Sequence, residues 1–184
     1  MTQVAAIATT IDEREDYFFG CGYDEYEERD RSRRENDAWI FRVEGDGEVR
    51  WSIKMAGRKP SMRSKGSDLC NGLHYNDADH SLAALIHTKS KQWRQGPKID
   101  DFHDVMLVII TNQGDLRKAL TLSTGYEITG FAQNLVRVES MDEYFIAGTF
   151  KGFQTQFQSI EETDNIDTFL MRLDFNQDNK KSSN

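Results

Sequence analysis

Proline is almost missing from this chain, with two residues in 184. Long polyproline linkers are therefore excluded. Cysteine is as scarce, with Cys21 and Cys70 alone. Two thiols do not make a disulfide framework. The expectation is two buried, reduced thiols in an intracellular protein. Long apolar runs are also missing. The longest, Val105 to Ile110, is strand-sized and well short of the roughly 20 residues of a membrane span. The N-terminal stretch Met1 to Thr10 has no basic region before its apolar residues, which stop at Thr9, so it does not read as a signal peptide. It also lacks the arginines of a mitochondrial presequence. These absences point to an intracellular, non-secreted protein, and with the lack of enzyme motifs the expected location is cytoplasmic, cytoskeletal or ciliary.

Motifs of catalysis are absent too. No serine or cysteine sits in a G-x-S-x-G elbow, and there is no glycine-rich phosphate loop. His74, His80, His87 and His103 have no compact ligand spacing. Asp77-Ala78-Asp79-His80 reads as a solvated turn. Asp164-Asn165-Ile166-Asp167 lacks the loop glycine and distal glutamate of an EF-hand, so its side chains read as turn caps. No catalytic residue, metal ligand or cofactor is assigned. Net charge is -8 and the pI about 5.0. Phosphate backbones are bound by lysine and arginine, so no nucleic-acid partner is expected, nor a membrane.

What the chain does have is aromatic and strand-forming residues: eleven Phe, six Tyr and three Trp, in an apolar share of 38%. That suffices for one core of ordinary size. These residues recur in a fixed order. Val4 to Ile11, Asp16 to Gly22, Asp37 to Val43 and Glu48 to Met55 form one unit of four short strands. Leu69 to Tyr75, Ser81 to Ile86, Asp104 to Ile110 and Asp115 to Leu122 form a second. Asn134 to Val138, Tyr144 to Phe150 and Asp167 to Phe175 give three strands of a third. Asp37, Asp104 and Asp167 each open a third strand, at spacings of 67 and 63 residues. Second strands begin at Tyr17, Ser81 and Tyr144, which lie 20, 23 and 23 residues earlier. Gly47-Glu48-Val49-Arg50 matches Gly114-Asp115-Leu116-Arg117, with glycine where a tight hairpin needs positive φ.

Such a meander is the unit of a β-propeller blade, with its first strand at the axis and its fourth at the rim. One sheet cannot bury both faces, and stacking supplies the missing core. The third strand Val105 to Ile110 is apolar throughout, as a doubly covered strand should be. In the outer strand, Val49, Trp51, Ile53 and Met55 are expected on one face, with Arg50, Ser52 and Lys54 on the other. The charged segment Glu27 to Asn36 could be helical or disordered, and fits a loop between the second and third strands. The predicted fold is all-β, a partial propeller of two full antiparallel blades plus three strands of another. The divisions are residues 1–57 for blade 1, 58–125 for a linker and blade 2, 126–176 for partial blade 3, and 177–184 for a polar tail.

Tyr144-Phe145-Ile146-Ala147-Gly148-Thr149-Phe150, followed by Asp164 to Asp174, resembles the bacterial-type β-propeller repeat. That family runs as an aromatic-glycine strand, a loop, and an Asp-Ala-Phe-like strand closing on a basic residue, an apolar residue and an aspartate. Asp37-Ala38-Trp39-Ile40-Phe41-Arg42-Val43 with Gly47 and Trp51 repeats it, and the likeness spans most of residues 4–175. It implies a fold and no particular activity. Gly47-Glu48-Val49-Arg50-Trp51 is also similar to the repeat of quinoprotein propellers. Those have eight blades and a quinone pocket. The second unit here has Lys118 in place of the tryptophan, and no quinone is expected.

Two and three-quarter blades would leave the faces of both end blades uncovered. Exposed faces of that size serve as interfaces. The chain is expected to pair with itself into a ring of about six blades, to complete a propeller on another protein, or to be part of a longer one. The leading functional expectation is a non-catalytic scaffold or assembly subunit of a larger complex. The alternative is a ligand-binding or enzymatic propeller completed by oligomerisation, with a pocket on its axis. One basic segment, Arg58, Lys59, Arg63 and Lys65, could dock on an acidic partner surface, although it also fits a solvated linker.

Overall fold

A computed structural model describes residues 2–9, 16–27, 34–55, 68–88, 104–122, 132–138, 143–150, 153–154, 159–160 and 167–174. Everything said of the structure concerns these residues. They form strands and turns, with no helix among them.

The first sheet runs β1 (Thr2–Thr9), β2 (Tyr17–Glu27), β3 (Arg34–Glu44), β4 (Val49–Met55) in spatial and chain order alike. The second runs β5 (Asp68–Asn76), β6 (Ser81–Thr88), β7 (Asp104–Thr111), β8 (Leu116–Thr121). The third joins β9 (Ala132–Val138), β10 (Glu143–Phe150) and β13 (Asp167–Asp174) in the same meander. Between its last two strands lies a short hairpin, β11 (Phe153–Gln154) with β12 (Ser159–Ile160). Each neighbouring pair is antiparallel. The fold is the all-β partial propeller that the repeat predicts.

The repeat extends to irregularities that no spacing reveals. The first strand of every blade skips one residue against the second: Ala5 between Val4↔Gly22 and Ala6↔Cys21, Asn71 between Cys70↔Ile86 and Gly72↔Leu85, Gln133 between Ala132↔Gly148 and Asn134↔Ala147. These three bulges occupy one equivalent position. The last hairpins share another, where Val43↔Val49 follows Arg42↔Trp51 and Ile110↔Leu116 follows Ile109↔Lys118. A bulge bends a strand and increases its twist. Bulges at shared positions make the blades alike in shape, which lets each sheet seat on the next.

Pairing also fixes the faces, since directly paired residues project to the same side. In blade 2, Leu82, Ala84, Ile86, Met106, Val108 and Ile110 form a front that packs on blade 1. Ala83, Leu85, Val105, Leu107 and Ile109 form a back that packs on blade 3. Blade 1 meets the first set with its own back, including Tyr17, Phe19, Cys21, Ile40 and Met55. Blade 3 meets the second with its front: Leu135, Tyr144, Ile146 and Leu173. The core is therefore two apolar layers on either side of the middle sheet. Gly72 allows a close approach in the second layer, because a Cβ there would lie 3.3 Å from Leu135 Cβ.

Four expectations are corrected. Cys21 and Cys70 are buried as expected, but they form a disulfide, with Cα atoms 5.6 Å apart. Cys21 lies on the back of blade 1 and Cys70 on the front of blade 2, so stacking brings them together. Second, both ends of the segment Glu27 to Asn36 are strand, since the β2–β3 ladder continues from Asp24↔Asp37 to Glu27↔Arg34; residues 28–33 lie outside the described residues. For the same reason Asp37 lies inside its strand, whereas Asp104 and Asp167 do open theirs. Third, the residue matching Tyr17 and Ser81 is Glu143, not Tyr144. Tyr17↔Glu44, Ser81↔Thr111 and Glu143↔Asp174 occupy the same rung. Fourth, the bulge in the last hairpin takes Val49 off the face shared by Trp51, Ile53 and Met55 and leaves it exposed.

Candidate interaction surface

The seam between blades 1 and 2 shows what one blade needs from the next. Its apolar part is aromatic. Phe19 stacks on Tyr75 at 4.9 Å and meets Tyr17 edge-on at 5.4 Å. The disulfide crosses the same layer. The polar part gathers at the turn joining β7 to β8. Arg42 projects from the back of blade 1, its guanidinium 3.8 Å from the centre of the Tyr17 ring. It donates to Asn112 Oδ1 at 2.5 Å and to Asn112 O at 3.3 Å, and pairs with Glu44 at 3.1 Å. Trp51 Nε1 donates to Asn112 O at 2.8 Å. Asn112 Nδ2 donates to Tyr17 Oη at 3.3 Å, and Tyr17 Oη meets Tyr75 Oη at 2.9 Å. Tyr75 Oη lies 3.1 Å from His80 Nδ1, and Asn112 N donates to the His80 carbonyl at 3.1 Å. Asn112 thus satisfies groups from both blades, so it fixes the blades' relative position as well as their contact.

The glycines of the last hairpins confirm their turn role. Gly47 has φ +87 and Gly114 φ +93. Their amides donate to Glu44 O and Thr111 O, closing equivalent turns. Gly114 does more, since its Cβ position would lie 3.1 Å from the Trp51 ring of the adjacent blade.

The outward faces of the end blades are a different environment. Val4, Ile7, Val49, Val136 and Leu170 are exposed large apolar side chains. The first three belong to the front of blade 1, the last two to the back of blade 3, as their pairings show. The positions equivalent to Val4, Ile7 and Leu170 are buried in the stacked layers, and Leu116, the counterpart of Val49, is partly buried. Leu170 is 72% exposed, while Leu107 and Ile40 at the same rung of the other blades are 0% exposed. Ile7 is 63% exposed against 9% for its counterpart Leu73, and Val4 53% against 0% for Cys70. Trp39 and Phe41 lie side by side on the front of blade 1, ring centres 4.4 Å apart, with Phe41 resting on Gly20.

On the back of blade 3, Arg172 holds the position of Arg42. It pairs with Glu143, and that carboxylate, by hydrogen bond and by charge, holds the guanidinium yet more firmly protonated than usual. Its side chain remains 63% exposed. Sequence reasoning did not single out either arginine. Their signal is an arginine five residues after the repeat aspartate in blades 1 and 3, with an acid two residues on: Arg42-Val43-Glu44 and Arg172-Leu173-Asp174.

The basic segment Arg58, Lys59, Arg63 and Lys65 lies outside the described residues, as do His103 and Asp164. His74 and His87 are on strands β5 and β6, and His80 is in a turn at φ 51. Among the described residues no three His, Cys, Asp or Glu side chains gather as a metal site. The Asp77 to His80 turn is closed by Asp79, which accepts from Ser81 N at 3.2 Å and Ser81 Oγ at 2.6 Å and pairs with Arg117 at 3.1 Å. It is a capped surface turn. Among the described residues no helix is long and apolar enough to cross a membrane. No family model and no curated protein matches the chain.

Proposed function

We propose that this chain is a non-catalytic β-propeller segment that serves as a scaffold or assembly subunit of a larger protein complex, presenting its two end sheets to protein partners. One observation carries this reading: Val4, Ile7 and Leu170 are exposed on the two outward blade faces, at positions that are buried where another blade is stacked. Covering apolar surface is worth about 25 cal/mol per Å², and exposed apolar residues gathered on one face mark an interaction surface. The likeness of Asp37 to Val43 and Tyr144 to Asp174 to bacterial-type propeller repeats supports a blade as the working unit. Reducing compartments keep most thiols free. With Cys21 bonded to Cys70, the free-thiol argument for a cytoplasmic location falls away, and the proposal carries no location.

Native mass spectrometry of the chain, tagged and isolated from its own source at natural abundance, tests the reading. A particle well above 21.2 kDa is expected. A lone monomer throughout purification refutes it.

A further inference from the structure

The first seam shows how a blade of this protein takes a neighbour, and blade 3 repeats the side that receives. In that seam the back of blade 1 offers Ile40 to the apolar layer and Arg42 to the next blade's β7–β8 turn. On the back of blade 3 the same rungs carry Leu170 and Arg172, both largely exposed. In that seam the front of blade 2 offers Cys70, Leu73, Met106 and Leu116, with Asn112 in its turn. On the front of blade 1 the same rungs carry Val4, Ile7, Trp39 and Val49. The turn equivalent to Thr111-Asn112-Gln113-Gly114 is Glu44-Gly45-Asp46-Gly47; Glu44 is held by Arg42 on the back of its own blade, and Asp46 is the exposed carboxylate of the turn.

We propose that a second copy of this chain docks the front of its first blade on the back of the third blade, with Arg172 received by the partner copy's acidic Glu44 to Gly47 turn. This rests on the assembly reading above and names the partner. Two features choose a second copy over an unrelated protein. The two faces repeat the two sides of a seam that the chain already makes within itself. Their polar ends are also complementary: Arg172, which keeps Glu143 on its own blade just as Arg42 keeps Glu44, meets Asp46 in the receiving turn, a contact of opposite charge that like-with-like docking lacks. The contact is head-to-tail, so each copy uses one front and one back, and two copies close on each other through two such contacts.

Sedimentation equilibrium of the full chain at about 100 µM tests it, with three variants at exposed sites that leave the core alone. The wild type is expected at twice 21.2 kDa. Leu170→Glu inactivates only the back and Val49→Glu only the front, so each alone is expected to be monomeric, with thermal unfolding equal to that of the wild type at dilutions where both are monomeric. Mixed in equal amounts they keep one intact front and one intact back, and a one-to-one complex reappears. Asp46→Asn keeps the acceptor that caps Glu48 N at 2.9 Å but removes the charge. It is expected to weaken association by about two- to fivefold at low salt, and less at high salt. Dimers formed by Val49→Glu alone indicate back-to-back pairing, and dimers formed by Leu170→Glu alone indicate front-to-front pairing. Either result overturns the proposal, as does a mixture that stays monomeric. A monomeric wild type also overturns it, but leaves the assembly reading standing if the native particle contains a different protein.

Discussion

Reducing the Cys21–Cys70 bridge is the sharpest perturbation, because it links two blades across a chain separation of 49 residues. In the chain-entropy treatment, a loop of that length removes about 4 kcal/mol of freedom from the unfolded chain at 25 °C. The folded state loses much less. Both sulfurs sit in an apolar layer with Phe19, Leu82 and Ile86, where a reduced thiol is a small apolar group in the same space. Nearly all of the cost should therefore appear as a more favoured unfolded state. With a urea slope of about 2 kcal/mol/M, the midpoint should fall by about 2 M on reduction. Urea unfolding of the oxidised and reduced wild type, followed by tryptophan fluorescence, measures the shift. Thiol titration in urea without reductant should find no reactive cysteine, and after reduction two. A midpoint shift below about 0.5 M, or two reactive thiols in the unreduced denatured protein, would refute the reasoning. Replacing both cysteines with alanine should cost more than reduction does, since it also leaves a cavity.

Further outcomes follow from the same geometry. Gly47→Ala and Gly114→Ala both place a side chain at positive φ, a cost of about 1 kcal/mol. Only the second also presses on Trp51, so its loss by chemical denaturation should be clearly the larger. Equal losses would mean that the ring does not rest on the turn. Leu107→Ala should cost about 3–5 kcal/mol, because the side chain is fully enclosed between blades 2 and 3. Leu170→Ala, at the equivalent rung, should stay within about 0.5 kcal/mol at dilutions where the protein is monomeric. A large loss there would show that the back of blade 3 is covered within the chain. Asn112→Ala removes the acceptor of Arg42 and the donor to Tyr17, and should cost about 1–3 kcal/mol. An unchanged unfolding midpoint would count against Asn112 as the anchor of the first seam.

The sequence by itself determined the strands, their meander order and the turns. Those depend on local features: period-two alternation, the all-apolar run Val105 to Ile110, and glycine at Gly47 and Gly114, where only positive φ closes the hairpin. Counting from Asp37, Asp104 and Asp167 was enough to find three blades. It was not enough to place their faces, because face depends on pairing with a distant strand, and a slip of one residue reverses it. Matching Tyr144 to Tyr17 makes that slip. The two aromatic residues lie on opposite sides of their blades, and Glu143 is the true counterpart. The bulges at Ala5, Asn71 and Gln133 leave no mark in composition, and the departure of Val49 from its expected face follows from another. Cys21 and Cys70 could be seen as two apolar thiols. Only the stacking of a back on a front brings them within bonding distance. The same stacking makes Ile40 core and leaves Leu170 a surface residue, since burial of a blade residue is decided by whether another blade covers it.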